Sequence, residues 1–258
     1  MTVRTARGRA GTTRFVDLPW KIYRGDPNWV PPLKASVREL LDPRRHPFYD
    51  GGRAAEIELF LAWDGPDVVG RVAAIQNHAH NLVYGDHLVF FGFFECIDRP
   101  DVARELLGAV ETWAAARGAG AVRGPMNPSQ NYECGLLVEG FNRPPVLMMT
   151  YNPPFYRRLV EGAGYTKAKD LHAYISPVHG ASLERLKRLA ERTRQRNPGL
   201  TTRGANLADF DGEVRLVKEI YNAAWEKNWG FVPMSDAEIT WLAKELKPLV
   251  QKDLLRFA

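Results

Sequence analysis

The spacing of apolar residues predicts a strand-rich first part of the chain. Glu56 to Trp63 and Val68 to Ile75 are apolar runs on either side of a polar turn at 64–67, a pattern typical of a β-hairpin. Leu88 to Ile97 is a third, very apolar run, which favours a strand at the centre of its sheet. A further strand is predicted earlier, around Thr13 to Asp17.

Helices are predicted between these strands and after them. The pairs Asp26-Pro27 and Pro31-Pro32 divide the segment 18–43 into two short helices. After the third run, apolar residues recur one helical turn apart at Val102, Leu106, Val110 and Trp113. Asp98 and Asp101 are placed to cap that helix, and Gly118 with Gly120 ends it.

The remaining segments up to residue 176 alternate between short strands and one helix. Strands are predicted at 121–127, 144–151 and 167–176, and a helix entered through two prolines at 152–165. The fold class is therefore α/β (α+β mixed), with a mixed, mostly antiparallel sheet flanked by helices. This first domain is expected to span residues 13–176.

The end of the chain echoes its beginning. Ile22-Tyr23 followed by Asn28-Trp29 resembles Ile220-Tyr221 followed by Asn228-Trp229, and the order strand, helix, break, helix is the same. We expect a basic linker helix at 177–199 and, at 200–258, the start of a second copy that is truncated. The alternatives for completing it are a missing C-terminal half, a tail that docks on the first domain, and a homodimer.

Charge and cysteine content exclude little but set the compartment. The net charge of +5 is concentrated in the arginine-rich stretch Leu183 to Gly199, for which a solvated linker helix is favoured over a nucleic-acid surface. No apolar run is long enough to span a membrane, and the basic N-terminus has no apolar stretch behind it. Cys96 and Cys134 are expected to be thiols. These features predict a cytoplasmic protein with no membrane partner and make nucleic acid an unlikely ligand.

One stretch carries a family resemblance. "YNPPFYRRLVEGAGYTKAKDLHAYI", from Tyr151 to Ile175, resembles the last helix and strand of the GNAT superfamily of acyl-CoA N-acyltransferases. The order of elements from Phe15 to Ser176 also agrees with that fold. "LPWKIYRGDPNWVPPL" together with "GPMNPSQNYECGLLVEGF" is similar to uncharacterised bacterial proteins with two GNAT-like halves.

The resemblance implies acetyl-CoA or another acyl-CoA as co-substrate. Its pantetheine would lie along Phe93 to Ile97, with Phe93, Phe94, Cys96 and Ile97 as contacts and Asn152 at a strand end. Its pyrophosphate would lie on the turn holding Arg99 and Arg104, and Tyr156 would protonate the leaving thiolate. The turn departs from the family pattern, because its two small positions are Val102 and Arg104. Asp98 and Asp101 also bring negative charge to that place.

Two carboxylates are candidates for the general base. Glu95 lies in a strand predicted to be buried, so it is paired, protonated or in a cavity. Glu133 lies in the polar loop Gly124 to Gly135, whose side chains could contact a ligand or only order the loop. Cys134 as a nucleophile and a metal site at His78, His80 and His87 are both disfavoured, and no metal is expected.

These observations predict an acyl-CoA-dependent N-acyltransferase whose acceptor is a small-molecule amine or a peptide amine. The amine would attack the thioester directly, and Glu95 or Glu133 would take its proton. The alternative is a catalytically degenerate GNAT-like domain that serves as the substrate-binding or structural half of a two-domain acyltransferase. The missing glycines favour the alternative, whereas Asn152, Tyr156 and the polar loop favour the enzyme.

Overall fold

The protein is described by a computed structural model that covers residues 1–176, 179–251 and 254–258. Its first part contains β1 (Thr2–Thr5), α1 (Gly8–Asp17), α2 (Pro19–Ile22), α3 (Lys34–Leu40), β2 (Ala55–Asp64), β3 (Asp67–Asn77), α4 (His78–Tyr84), β4 (Leu88–Cys96), α5 (Pro100–Ala115), β5 (Ala121–Arg123), β6 (Met126–Asn127), β7 (Glu133–Cys134) and α6 (Tyr156–Gly162). Then follow α7 (Ala181–Arg196), β8 (Arg203–Gly204), α8 (Phe210–Trp225), α9 (Asp236–Leu246) and β9 (Arg256–Phe257), with 3₁₀ turns at Pro47–Gly52, Leu207–Asp209 and Lys247–Leu249.

The first five strands form one sheet in the order β1-β2-β3-β4-β5. Neighbours pair antiparallel except β4 and β5, which are parallel and are joined through α5. The predicted fold class, a mixed and mostly antiparallel sheet flanked by helices, is confirmed. The strand predicted at Leu88 to Ile97 lies inside the sheet, as its apolar composition indicated.

Each face of the sheet has its own core. Val102, Leu106 and Val110 of α5 pack with α6 against one face, as the helical spacing predicted. On the other face, Phe15 and Val16 of α1 pack with Tyr49 and Ile75. All seven of these residues are fully or almost fully buried. The sheet is thus covered on both sides, which allows a charged pair on its strands to be desolvated.

Three predicted strands are wrong. Residues 13–17 lie in α1, because Gly11 and Phe15 are buried four residues apart, which is helical spacing, and the sheet begins instead with β1. The segments 144–151 and 167–176 contain no strand. Their apolar side chains are exposed, including Val146, Leu147, Tyr174 and Ile175, and no described strand pairs with them. An apolar run alone cannot supply the partner ladder that a strand requires.

The elements from residue 203 onward follow an order similar to that at the start of the chain. β8 pairs antiparallel with β9, and α8 and α9 lie between them in sequence, just as β1 pairs with β2 across α1 to α3. Ser235 and Glu238, three residues apart, predict a capping box at the start of α9, and the structure confirms it. Ser235 N donates to Glu238 Oε2 at 3.1 Å, and Glu238 N donates to Ser235 Oγ at 3.2 Å.

By compactness the chain divides into residues 1–168 with 222–238 and residues 169–221 with 239–258. The first unit holds the five-stranded sheet and both core clusters. The boundaries at 13, 176 and 199, which divide the chain into copies of a fold, stay a prediction.

Candidate active site

A buried ion pair crosses the sheet between β3 and β4. Arg71 and Glu95 are register partners, so their side chains extend from the same face. Arg71 Nη2 lies 3.6 Å from Glu95 Oε1, and the two side chains are only 7% and 13% exposed. Arg71 Nη1 also donates to the Phe15 carbonyl at 2.6 Å, and the guanidinium lies over the Phe15 ring. The packing of α1 therefore fixes the arginine in place.

The hydroxyl of Tyr156, at the start of α6, joins this pair. It donates to Glu95 Oε2 at 2.6 Å and accepts from the backbone N–H of Cys96 at 2.8 Å. Because the Cys96 amide can only donate, the tyrosine proton must point at Glu95. The buried Tyr156 is thus committed to holding the carboxylate.

Tyr23, at the end of α2, is a second tyrosine at the same carboxylate. It is buried, stacks on Trp29 with ring centroids 4.8 Å apart, and donates to the Tyr151 carbonyl at 3.4 Å. Its hydroxyl and Glu95 also affect each other's pKa. Burial raises the pKa of Glu95, while Arg71 and the two tyrosine hydroxyls oppose that rise. Burial and the charge of Glu95 raise the pKa of Tyr156 well above its usual value, so both tyrosines remain neutral donors.

Glu133 of β7 is the accessible carboxylate of the group. It is exposed to solvent, unlike Glu95, yet protein atoms surround it closely enough that desolvation raises its pKa. Asn127, its partner across the β6–β7 ladder, and the charge of Arg71 oppose that rise in pKa. Its own charge acts on both Arg71 and Glu95. A partly desolvated carboxylate open to solvent has the properties of a general base.

A bulge in β4 lies beside Glu133. Between the pairs Arg71↔Glu95 and Ala73↔Gly92, β4 uses one residue more than β3. Phe93 at this bulge has φ 50°, a left-handed conformation that is strained for a phenylalanine. Its N–H donates to Asn127 Oδ1 at 2.6 Å. Asn127 therefore binds the strained bulge and is also the ladder partner of Glu133.

The gap at which the resemblance places the pantetheine is present but partly filled. β5 pairs with β4 from Leu88 to Phe90, and β4 continues to Cys96 beyond it. A Cβ on Gly92 would lie 1.7 Å from the Met126 carbonyl, so β6 passes directly against β4 here. The amides of Phe93 and Cys96 are bonded to Asn127 and Tyr156.

The other predicted cofactor contacts also have protein partners. Ile97 N donates to Val69 O at 3.1 Å, and the Phe94 ring packs on Tyr156 with centroids 5.2 Å apart. Asn152 is buried, and its amide accepts from Leu137 N at 2.7 Å and donates to Leu137 O at 3.2 Å. The assignment of these residues to pantetheine stays a prediction.

The turn before α5 does not fit a pyrophosphate as it stands. Arg99 forms ion pairs with Asp64 and Asp101, and the bond to Arg99 lowers the pKa of Asp101. Arg104 Nε donates to Pro100 O at 3.4 Å. Asp98, expected as the cap, instead pairs with Arg158 of α6, and the capping position is Arg99. The arginine expected at the pyrophosphate is thus paired with carboxylates, and Asp101 adds negative charge to the first turn of α5.

The polar loop is held by a later segment of the chain. Asn131 Nδ2 donates to Val232 O at 2.8 Å, and the Tyr132 hydroxyl lies 3.3 Å from Glu238 Oε1. Ser129 Oγ accepts from Asn131 N at 3.3 Å. These side chains, considered as ligand groups from the sequence, order the loop and leave Glu133 as its accessible charge.

The cysteines and histidines add no further chemistry to the site. Both thiols are free, and burial raises the pKa of Cys96 to about 12 and that of Cys134 in the same direction. His78 lies 3.4 Å from Glu56 and His80 3.3 Å from Asp86. Among the described residues there is no group of three side chains suited to a metal ion.

Sequence reasoning missed three residues of this group. Arg71 carried a signal, since a lone charge inside the apolar run Val68 to Ile75 must find a partner. Tyr23 was noted only as part of the repeat. Asn127 was counted among the polar loop residues without a role, because nothing in the sequence reveals a left-handed phenylalanine.

Comparison with known proteins gives two sequence relatives. The chain is 38% identical over 246 residues to the bacterial ceramide synthase of Caulobacter vibrioides and 34% identical over 257 residues to protein YghO of Escherichia coli K12. The alignments cover 95% and 99% of this chain but 63% and 64% of the relatives, so the chain spans just under two thirds of their length. No family profile matches the chain.

One solved structure is similar at a distance. It is AAC(6')-Iy in complex with a CoA bisubstrate analogue, with 14% identity and a TM-score of 0.38 over 68% of this chain and 97% of that chain. This likeness is too remote to support a functional conclusion. Among the described residues, no helix has the length and apolar character needed to cross a membrane.

Proposed function

We propose that this chain carries the base of an acyl-CoA-dependent N-acyltransferase. The observation that supports this most is Glu133, an accessible carboxylate whose ladder partner Asn127 binds the bulge of β4 next to the buried Arg71–Glu95 pair. Of the two candidate bases, Glu95 is committed to Arg71 and Tyr156, so Glu133 is the one free to meet a substrate. The acceptor amine would enter from the solvent side of β7.

The reaction needs one proton removed from the amine. Glu133 takes it, the nitrogen lone pair forms a bond to the thioester carbonyl carbon, and the carbon–sulfur bond breaks. The proton on Glu133 then passes to the leaving thiolate, giving an amide and free CoA. Tyr156 is not required as the acid, because its proton points at Glu95.

A long-chain amino alcohol is the proposed acceptor. A ceramide is the amide of a fatty acid with such an amine, and the relative named as a ceramide synthase is 38% identical over 95% of this chain. The same reasoning favours a fatty acyl-CoA over acetyl-CoA as donor. The CoA diphosphate is not assigned to the turn before α5, where Asp101 places a negative charge and Arg99 is paired with carboxylates.

The alternative, a substrate-binding half without its own catalysis, is favoured by a specific observation. The amides of Phe93 and Cys96, where pantetheine is expected, are already bonded within the protein. In this alternative the chain binds the amine, and the acyl-CoA is bound by a part that the longer relatives have.

The test is an amide-forming assay on the purified chain with palmitoyl-CoA and sphinganine. Free thiol and the amide product are both measured. We expect Glu133→Gln to lower kcat by about 10²-fold or more with an unchanged unfolding midpoint. Glu105→Gln, an exposed glutamate on α5, is the matched control and should retain full activity.

Three outcomes separate the proposals. Turnover lost only in Glu133→Gln supports the enzyme. No turnover, with sphinganine binding that Glu133→Gln weakens, supports the substrate-binding half. Equal turnover in wild type and Glu133→Gln contradicts the role given to Glu133.

A further inference from the structure

Helix α7 is 16 residues long, and most of its described side chains are exposed to solvent. Residues 184–196 are all exposed. Leu186 and Leu189 are 57% and 58% exposed, although leucine is usually buried. A solvated linker helix would have little need for leucines at these positions.

The leucines of α7 lie on one side of the helix. At about 100° per residue, Leu183, Leu186 and Leu189 span an arc of about 120°. Ala190 and Thr193 fall inside the same arc. The helix is therefore amphipathic, with an apolar stripe from Leu183 to Ala190.

The charges of α7 are arranged around that stripe. One border carries arginines and the other carries a lysine and an arginine, while the two glutamates and a further arginine, Arg188, lie on the opposite side of the helix. The borders are Arg185, Arg192 and Arg196 on one side and Lys187 and Arg194 on the other, with Glu184 and Glu191 at the back. Lys187 and Arg194 lie 2.9 Å and 3.9 Å from these glutamates.

An apolar stripe bordered by cations is the pattern of a helix that lies flat in a membrane interface. We propose that α7 binds a lipid surface with anionic headgroups, its leucines toward the acyl chains and its arginines at the phosphates. Such a helix needs no membrane span, so the expectation of no membrane partner, which rested on the absence of a span, does not exclude it. The proposal is independent of the proposed reaction.

The segment before α7 extends the apolar surface in sequence. Leu171, Tyr174 and Ile175 are 52%, 88% and 76% exposed. Nucleic acid, the other polyanion considered, would require the arginines but not these apolar side chains. The exposed leucines are thus what favours a lipid surface over nucleic acid.

The experiment is flotation of the full chain with vesicles of phosphatidylcholine and phosphatidylglycerol, and with phosphatidylcholine alone. Leu186→Gln with Leu189→Gln removes the stripe while keeping helix propensity. Leu82→Gln with Val83→Gln, at exposed positions on α4, is the matched control. A third variant changes Arg185, Arg192 and Arg196 to Gln.

We expect the wild type to float with the anionic vesicles only. The partition coefficient should fall about tenfold or more in the leucine and the arginine variants and stay unchanged in the α4 control. Retention on heparin should fall in the arginine variant but not in the leucine variant. Circular dichroism checks that each variant keeps its helix content.

Two results would overturn the proposal. One is a wild type that stays in solution with anionic vesicles. The other is vesicle binding that is unchanged in the leucine variant, which would make the arginines a general polyanion surface. Duplex RNA that binds the wild type and the leucine variant equally, without flotation of either, would identify a nucleic-acid surface instead.

Discussion

Two arginines of this protein bind carboxylates in opposite surroundings. Arg71 lies 3.6 Å from Glu95 inside the sheet, with the two side chains 7% and 13% exposed. Arg99 lies 2.5 Å from Asp64 at the turn before α5, with side chains 39% and 47% exposed. The exposed contact is the shorter one, yet water screens it, whereas the buried pair has no such screening.

Burial, rather than distance, therefore decides which ion pair contributes more to the stability of the fold. At the turn, the carboxylates neutralise an arginine that the resemblance assigned to phosphate. At the sheet, Glu95 binds the Tyr156 hydroxyl and, together with burial, raises the pKa of Tyr23. The charge of Arg71 acts on the pKa of the accessible Glu133. The buried polar network thus lies on β3 and β4, two strands with very apolar sequences.

The largest expected effect comes from breaking the buried pair. Arg71→Met leaves Glu95 buried without its cation and should lower the free energy of unfolding by about 3 to 5 kcal/mol. Urea denaturation measures this. Arg99→Met, the matched change at the surface, should cost much less, because water screens that ion pair. Similar losses in the two variants would contradict the comparison.

A second prediction compares a buried with an exposed titratable group, His46 with His87, by changing the pH. His46 is 1% exposed, its Nδ1 accepts from Phe48 N at 3.3 Å, and burial lowers its pKa from 6.5 to about 4. Between these values the unfolded chain binds the proton and the folded chain does not. Stability should therefore fall as pH drops from about 6.5 to 4, by on the order of 2 to 3 kcal/mol from this group.

The measurement is urea denaturation of wild type and His46→Gln at pH 7 and pH 5. The difference in stability between the two pH values should be smaller in the variant. His87→Gln, at an exposed histidine, is the control and should keep the wild-type difference. An unchanged pH dependence in His46→Gln would rule out this assignment.

The smallest expected effect is at the hydroxyl of Tyr156. Tyr156→Phe leaves the Cys96 amide and Glu95 Oε2 without that partner and should cost about 1 to 2 kcal/mol in urea denaturation. Tyr151→Phe removes a more exposed hydroxyl that donates to Asp26 at 2.8 Å and should cost less. If Tyr151→Phe were the more damaging change, the buried hydroxyl would not be the stronger contact.

Local patterns predicted the parts of the fold that depend on local physics. The hairpin of β2 and β3, the stripe on α5 and the capping box at Ser235 follow from spacing and turn residues, and all are present. The strands predicted at 144–151 and 167–176 failed because a strand depends on a neighbour elsewhere in the chain. The pattern of apolar and polar residues within one segment cannot show whether a neighbouring strand exists.

The candidate site was only partly predictable for the same reason. The sequence predicts three candidate catalytic residues, Glu95, Glu133 and Tyr156. Their roles depend on which residues contact them in the fold. The register that sets Arg71 opposite Glu95 separates the positioning carboxylate from the accessible one. The bond from Phe93 to Asn127 depends on a left-handed residue that no sequence pattern marks.

The hold of residues 222–238 on the first unit has a consequence for biosynthesis. Asn131 finds its acceptor at Val232, and Tyr132 reaches Glu238, about a hundred residues further along the chain. The polar loop that carries Glu133 therefore cannot complete its contacts while the nascent chain ends before residue 238. During translation the loop stays without these contacts until residues 222–238 have left the ribosome.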